Sequence, residues 1–156
     1  TVRDAGCTPI VVVLGAESAT VRGQAQLGDV KIVDNPAWKT GMGSSLRVGL
    51  ELLAGTDVDA AVVLLVDTPG VTAEAVRRVA AKDSRDALVS AAYGQRRGHP
   101  VLLGRDHWPG VATLAVGDVG ARAYLTARAA EVQTIACDDV ADDADMDYPD
   151  PESVST

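Results

Sequence analysis

The run Val62-Val-Leu-Leu-Val-Asp67-Thr-Pro-Gly-Val71 constrains this chain more than any other stretch. Five consecutive branched apolar residues end on a carboxylate, and Thr68-Pro69-Gly70 follows at once. That pattern predicts a strand over 62–66, buried on both faces, whose C-terminal end delivers Asp67 to an exposed turn. Open α/β sheets place their chemistry at that end of the strands. An apolar strand that simply stops in a turn looks the same, so the weight of Asp67 depends on its partners.

The chain can build the core such a strand needs. Its 156 residues suit one domain, and 47% hydrophobic content with mean hydropathy +0.10 excludes disorder of the whole. Aromatics make up only 3%, with no Phe, which predicts an interior of Val, Leu, Ile and Ala, the usual filling of a parallel sheet covered by helices. The same scarcity argues against stacking platforms for single-stranded nucleic acid. A net charge of −8 and a pI near 4.6 argue against nucleic acid altogether. Cys7 and Cys137 lack metal-ligand spacing and a disulfide pattern, which favours a reducing, cytoplasmic setting. The longest wholly apolar run, 60–66, is too short to span a bilayer. Thr1 to Gly6 reads as the last turn of a helix, so further residues are expected upstream.

In chain order, 9–14 is a predicted strand running into the small-residue turn Gly15-Ala16, where a ligand can approach the backbone. A weak helix is expected over 17–26, a strand over 30–33, and an extended loop at Asp34-Asn35-Pro36. Met42, Leu46, Leu50 and Leu53 form a one-face apolar stripe on the next helix and are expected in the core. At its start, Gly41, Gly43, Ser44 and Ser45 suit either a helix end that offers amides to an anion or plain serine capping. Thr72 caps a crossover helix with Val76, Val79 and Ala80 facing inward. Strands are predicted over 86–92 and 99–103, flanking a turn where Arg96, Arg97 and His99 either solvate a hairpin or hold an anion. Trp108 to Leu114 reads as a short helical segment. A helix from 117 to 130 with Asp118 as N-cap, a strand over 132–135 and an acidic, solvated tail complete the chain. The sum is a three-layer α/β/α sandwich with a mainly parallel sheet.

Six blocks then fall into a known order: Val11-Val-Val-Leu-Gly-Ala16, Asn35-Pro-Ala-Trp-Lys-Thr-Gly-Met-Gly-Ser-Ser-Leu-Arg-Val-Gly-Leu50, Leu65-Val-Asp-Thr-Pro69, Gly98-His-Pro-Val-Leu102, Gly117-Asp-Val-Gly-Ala-Arg122 and Asp145-Met-Asp-Tyr-Pro149. Together they resemble the MobA-like nucleotidyltransferases, and among these the molybdenum cofactor cytidylyltransferase branch, over essentially the whole length. The resemblance implies a Rossmann-like nucleotidyltransferase fold. It implies Mg²⁺ or Mn²⁺ held by Asp67, with Asp145 or Asp147 completing the shell or remaining tail charge. Gly15, Ala16, Gly41, Gly43, Ser44 and Ser45 would lie by the nucleotide, and His99, Pro100, Gly117, Asp118, Gly120 and Arg122 by the acceptor phosphate. One hard carboxylate for a cation that keeps its waters, with helix-end amides and arginines for phosphates, agrees with that assignment.

The implied activity is transfer of CMP from CTP to a phosphorylated acceptor such as molybdopterin, with release of pyrophosphate and hand-over to a molybdoenzyme or maturation partner. Guanylyl transfer from GTP, another acceptor, or a non-catalytic cofactor-delivery module are the alternatives. Two departures from the family pattern stand out. Its first strand, internal in the sheet, and its glycine-rich loop bearing Arg and Lys would precede Thr1 and are not in residues 1–156; Tyr148 stands where Thr is usual.

Overall fold

A computed structural model describes residues 1–16, 18–20 and 28–144. The helix expected over 17–26 lies largely outside the described residues. Two strands come first, β1 (Val11–Leu14) and β2 (Lys31–Asp34), paired in parallel with Val11 opposite Lys31 and Leu14 opposite Asp34. After them come α1 (Met42–Ala54), β3 (Ala60–Val63), α2 (Ala73–Ala80), β4 (Leu88–Tyr93), β5 (Arg96–Gly104), α3 (Trp108–Leu114), α4 (Arg122–Ala127) and β6 (Gln133–Ala136).

The second sheet has the order β3-β5-β4-β6. β5 is antiparallel to both β3 and β4, while β4 and β6 are parallel, so three strands share one direction and β5 alone opposes them. The reversal follows from a tight turn at Gly94, φ +64°, which folds β5 back along β4 and then past it to reach β3.

Each face of this sheet carries its own core. Leu88, Val101 and Leu103 pack on one side with Leu50, Trp108, Val111, Tyr124 and Leu125; Val89, Ala91 and Leu102 pack on the other with Ala75, Val79 and Cys137. Alternation along β5 therefore feeds two layers of helix, which is the α/β/α sandwich. Thr72 caps α2 as its position predicts, its side chain accepting from the Ala75 amide at 3.3 Å. The interior is not purely aliphatic, however. Trp108 is buried because its indole N–H reaches the Leu103 carbonyl at 2.9 Å, and Tyr124 because its hydroxyl meets His107 Nδ1 at 2.7 Å.

Three expectations are corrected. β3 covers 60–63 and not 62–66: the next residue of β5 beyond Val101 is Pro100, which has no amide hydrogen to give, and Val66 is 97% exposed. Met42 is 41% exposed, because the first turn of α1 abuts the 115–120 segment and not the sheet. The last long helix begins at Arg122 and not near Asp118, since Gly117 and Gly120 take φ +59° and +57° and keep the chain turning.

β1 and β3 share no ladder. Between them lies a cleft of about 1390 Å³, walled by residues 11–13 and 60–65 and floored by Leu46 and Leu50 of α1 and Leu125 of α4.

Candidate active site at the end of the sheets

Asp67 lies in the exposed turn that follows β3. The turn is held by its neighbour: Thr68 is 6% exposed and its hydroxyl donates to the Leu65 carbonyl at 3.0 Å. Among the described residues none hydrogen-bonds or ion-pairs with the Asp67 carboxylate. Val66 and Thr68 both line the cleft, while Asp67 between them is exposed and is not part of the lining.

Beside that turn runs the C-terminal segment, which the sequence reading left as a solvated tail. Its described part is instead a strap. Asp138 accepts the Gly94 amide at 2.6 Å, Asp139 forks onto Arg78 at 2.7 and 2.9 Å, and the Val140 carbonyl accepts the Thr72 hydroxyl at 2.9 Å. The Asp142 amide donates to Gly70 at 3.1 Å. Asp143 takes a bidentate bond from Arg96 at 2.9 and 2.5 Å with its own side chain only 7% exposed. The anion that Arg96 was expected to attract is therefore the chain's own. The described part of the strap runs to Ala144, on the cleft lining; Asp145, Asp147 and Tyr148 lie outside the described residues.

The Arg96 guanidinium holds the Asp143 carboxyl below the ordinary carboxylate range. Because the folded-state value is depressed, this contact stabilises fully above the unfolded value of about 3.9 and is lost as pH falls through the lower folded value. Asp143→Asn should thus destabilise the protein at pH 7, with a difference that shrinks as the pH falls below the unfolded value, which urea midpoints at neutral and acid pH would check. Burial also pushes the Tyr93 phenol up to about 12, so it stays a donor, at 2.7 Å, to the carbonyl of half-buried His99.

On the other side of the cleft, the residues expected near the nucleotide divide into framework and lining. Asn35, only 2% exposed, donates to Ser44 Oγ at 2.8 Å and to Ser45 Oγ at 3.0 Å, while its carbonyl accepts the Ala37 amide at 3.0 Å. Ser44 is buried, with its hydroxyl facing the carbonyls of Ala37 and Gly41 at 3.1 and 2.8 Å; Ser45 lines the cleft. Gly15 abuts Trp38, whose Cβ would lie 2.7 Å from any Cβ added there, and Ala16 is exposed beside it. Asn35 is the member that sequence reasoning missed, reading it as the residue before Pro36 and the start of a family block without giving it a role. The signal was a polar side chain between a strand end and a serine pair, too generic to single out. Asn35→Ala would remove the two bonds that tie the serine pair to β2 and the acceptor of the Ala37 amide, and should cost about 1–3 kcal/mol in stability, checked by urea unfolding.

The helix end offers less to a ligand than expected. The amides of Met42, Gly43 and Ser44 already have acceptors, respectively Asp118 Oδ1 at 3.3 Å, the Gly117 carbonyl at 2.8 Å and the Gly41 carbonyl at 3.2 Å. Asp118 therefore caps α1 and not α4, whose N-cap is Ala121. Gly120, Arg122, Ser45, His99 and Asp118 all line the one cleft, with the Arg122 guanidinium on an exposed residue. Gly41, Gly43 and Pro100 lie behind that lining as packing positions, while Gly117 is exposed, with open space where a Cβ would stand.

A three-layer α/β sandwich with an exposed carboxylate after one strand, and a serine turn and an arginine on one cleft, follows the rule that open sheets bind ligands beyond their strand ends. Comparison makes the class specific: the chain belongs to the family described as MobA-like NTP transferase domain, which matches residues 1–133. It is 36% identical over 149 residues to the nicotine blue oxidoreductase of Paenarthrobacter nicotinovorans, covering 91% of this chain and 72% of that protein. Among solved structures it is similar to Rv0371c of Mycobacterium tuberculosis H37Rv in complex with manganese, with TM-score 0.70, 25% identity, and 86% of this chain and 70% of that one covered. A nucleotidyl transferase from Methanothermobacter thermautotroptrophicus shares the fold, with TM-score 0.74 and 20% identity over 86% of this chain and 65% of that one. No helix of the described residues is long and apolar enough to cross a membrane.

Proposed function

We propose that the protein transfers a nucleoside monophosphate, CMP from CTP, onto the terminal phosphate of a small acceptor such as molybdopterin. The observation that carries this reading is that Ser45, His99, Gly120 and Arg122 share one cleft with Val66 and Thr68, the two neighbours of the exposed Asp67. An acceptor phosphate oxygen attacks the α-phosphorus, the bond to the bridging oxygen breaks, and pyrophosphate leaves. The protein has little covalent chemistry to perform, so positioning and charge neutralisation supply the rate.

Among the described residues no three His, Cys, Asp or Glu side chains converge on a point. A single exposed carboxylate still fits Mg²⁺ or Mn²⁺, which bind through one or two carboxylates plus substrate phosphates and keep their waters. Asp67 would hold the ion, with Asp145 or Asp147 as a second ligand, and the manganese complex of the mycobacterial relative supports a divalent metal. When bound, the ion neutralises triphosphate charge. Ser45, fixed by Asn35, borders the base, and Arg122 faces the acceptor.

In the same reading a further parallel strand, carrying a glycine-rich loop with Arg and Lys, fills the apolar stretch of the cleft between residues 11–13 and 60–65 and leaves the end bordered by Ser45, His99, Gly120 and Arg122 to the substrates. The facing edges of β1 and β3 and the apolar walls of the cleft support it. The coding sequence immediately upstream of Thr1 tests it: such a loop favours the enzyme, and a start at Thr1 favours a cofactor-delivery module. The two free cysteines support a reducing cytoplasmic setting.

Pyrophosphate release by the full-length protein with Mg²⁺ or Mn²⁺, molybdopterin, and CTP or GTP in turn is the direct assay. Release with GTP alone would move the base assignment, and none with either nucleotide would end the reading. A second reading, oxidoreductase, is favoured by the name of the 36% identical relative; oxidation or reduction of nicotine blue without pyrophosphate release would install it. On the acceptor side, Arg122→Ala should weaken apparent acceptor affinity about ten- to a hundredfold, the worth of a charge-assisted phosphate contact, while leaving the NTP KM largely unchanged. Steady-state kinetics with each substrate varied in turn check it.

A further inference from the structure

The first turn of α1 has no cap of its own. Its N-cap is Gly41, which has no side chain, and the work falls to a segment far along the chain. Asp118 takes the Met42 amide and Gly117 the Gly43 amide, while Arg47, one turn further into α1, donates from Nη1 to the Ala115 carbonyl. The contact is close throughout: a Cβ on Gly41 would lie 2.4 Å from the Gly117 carbonyl, and one on Gly43 2.4 Å from that of Ala115. These three hydrogen bonds and two close approaches describe one seam between residues 41–47 and 115–118. Ser45 leaves it on one side, Gly120 and Arg122 on the other, and all three line the same cleft.

Asp118 itself is ill suited to touch a phosphate, because the charges repel. At the amino end of α1 its carboxylate meets an orphaned amide and the positive end of the helix dipole. Moving the 117–122 segment would uncap α1, and moving the start of α1 would free the 117–122 segment. Neither side of the cleft can therefore rearrange alone.

We propose that Asp118 is a positioning residue that couples the two substrate sides of the cleft, holding the Ser45 turn and the Arg122 turn as one unit so that an anion bound by the second tightens nucleotide binding at the first. The proposal rests on the nucleotidyl-transfer reading of the cleft. The sign is positive because a ligand that orders the seam from one side leaves less ordering for the ligand on the other.

The test uses the full-length protein, CTP with Mn²⁺ as the nucleotide probe and inorganic phosphate as the acceptor-side probe. In the wild type, saturating phosphate should tighten CTP binding by about fivefold or more, the lower range of allosteric coupling. In Asp118→Ala the factor should fall to near one, and Asp118→Asn, which keeps an acceptor oxygen, should retain most of it. Hydrogen exchange without ligand provides an independent arm: the amides of Met42 and Gly43 should exchange about tenfold faster in Asp118→Ala, in line with the loss of a cap. Unchanged exchange overturns the seam. Faster exchange with the coupling factor intact, or phosphate that leaves CTP affinity unchanged or weakens it in the wild type, overturns the coupling. Faster exchange in a protein whose wild type binds no CTP would show instead that the nucleotidyl-transfer reading has failed, and the coupling with it.

Discussion

Asp67→Asn should leave the protein folded and lower metal-dependent turnover by about a hundredfold or more, the usual cost of removing one preorganised charge contact from the reacting phosphates. Both halves follow from the turn. The bend after β3 is held by the buried Thr68 hydroxyl on the Leu65 carbonyl, not by Asp67, whose exposed side chain has no described partner. Asparagine has the same shape, so unfolding free energy should stay within about 0.5 kcal/mol of wild type. What changes is the charge, and a neutral amide is a poor ligand for a hard cation. Pyrophosphate release measured against Mg²⁺ concentration decides the matter. Near-normal rates at saturating Mg²⁺ would reduce Asp67 to a turn residue, and a falling midpoint in urea would mean that the turn depends on it after all.

The second large effect belongs to Gly43. It sits in the first turn of α1, where alanine would ordinarily be preferred over glycine by about 1 kcal/mol. Here sterics win. An added Cβ would lie 2.4 Å from the Ala115 carbonyl oxygen, 2.6 Å from its carbon and 3.0 Å from the Val116 nitrogen, all backbone atoms that cannot rotate aside. Relief requires opening the seam, with loss of the amide bonds to Gly117 and Asp118. Gly43→Ala should therefore cost about 3 kcal/mol, from overpacking and lost hydrogen bonds together, lowering Tm by about 6–12 °C for a chain of this size. Gly49 in the same helix is the control, because a Cβ there would meet only Val13 Cγ2 at 3.5 Å, an ordinary contact. Gly49→Ala should be neutral or stabilise by up to about 1 kcal/mol. Equal melting temperatures for the two variants would show that the seam is looser than its distances imply.

Much of this molecule is written in local pattern. The branched run before Asp67, the Leu46-Leu50-Leu53 stripe, and Thr72 with Val76 and Val79 behind it each state a strand end, a buried helix face or a cap within a few residues, because period and capping act over one or two turns. The order of elements and the exposure of Asp67 are of this kind, and so is the α/β/α sandwich with most strands of the larger sheet running one way. The family resemblance is also local, six blocks read in succession.

What tertiary structure alone decided lies between distant segments. Asp118 is an equally good N-cap for the helix beside it and for α1; which it serves depended on Gly117 and Gly120 turning the chain back against Gly41 and Gly43. Asn35 became the hub of the serine turn only when the end of β2 met the start of α1, and residues 138–143 became a strap only because Arg78 and Arg96 waited on other elements. The short β3 is of the same kind. Its five-residue apolar run could have continued to Val66, but a strand is as long as its partner's hydrogen bonds, and its partner β5 reaches Pro100. Side-chain type and spacing determine what a segment can do alone; a donor and acceptor tens of residues apart are matched only once the chain between them has folded.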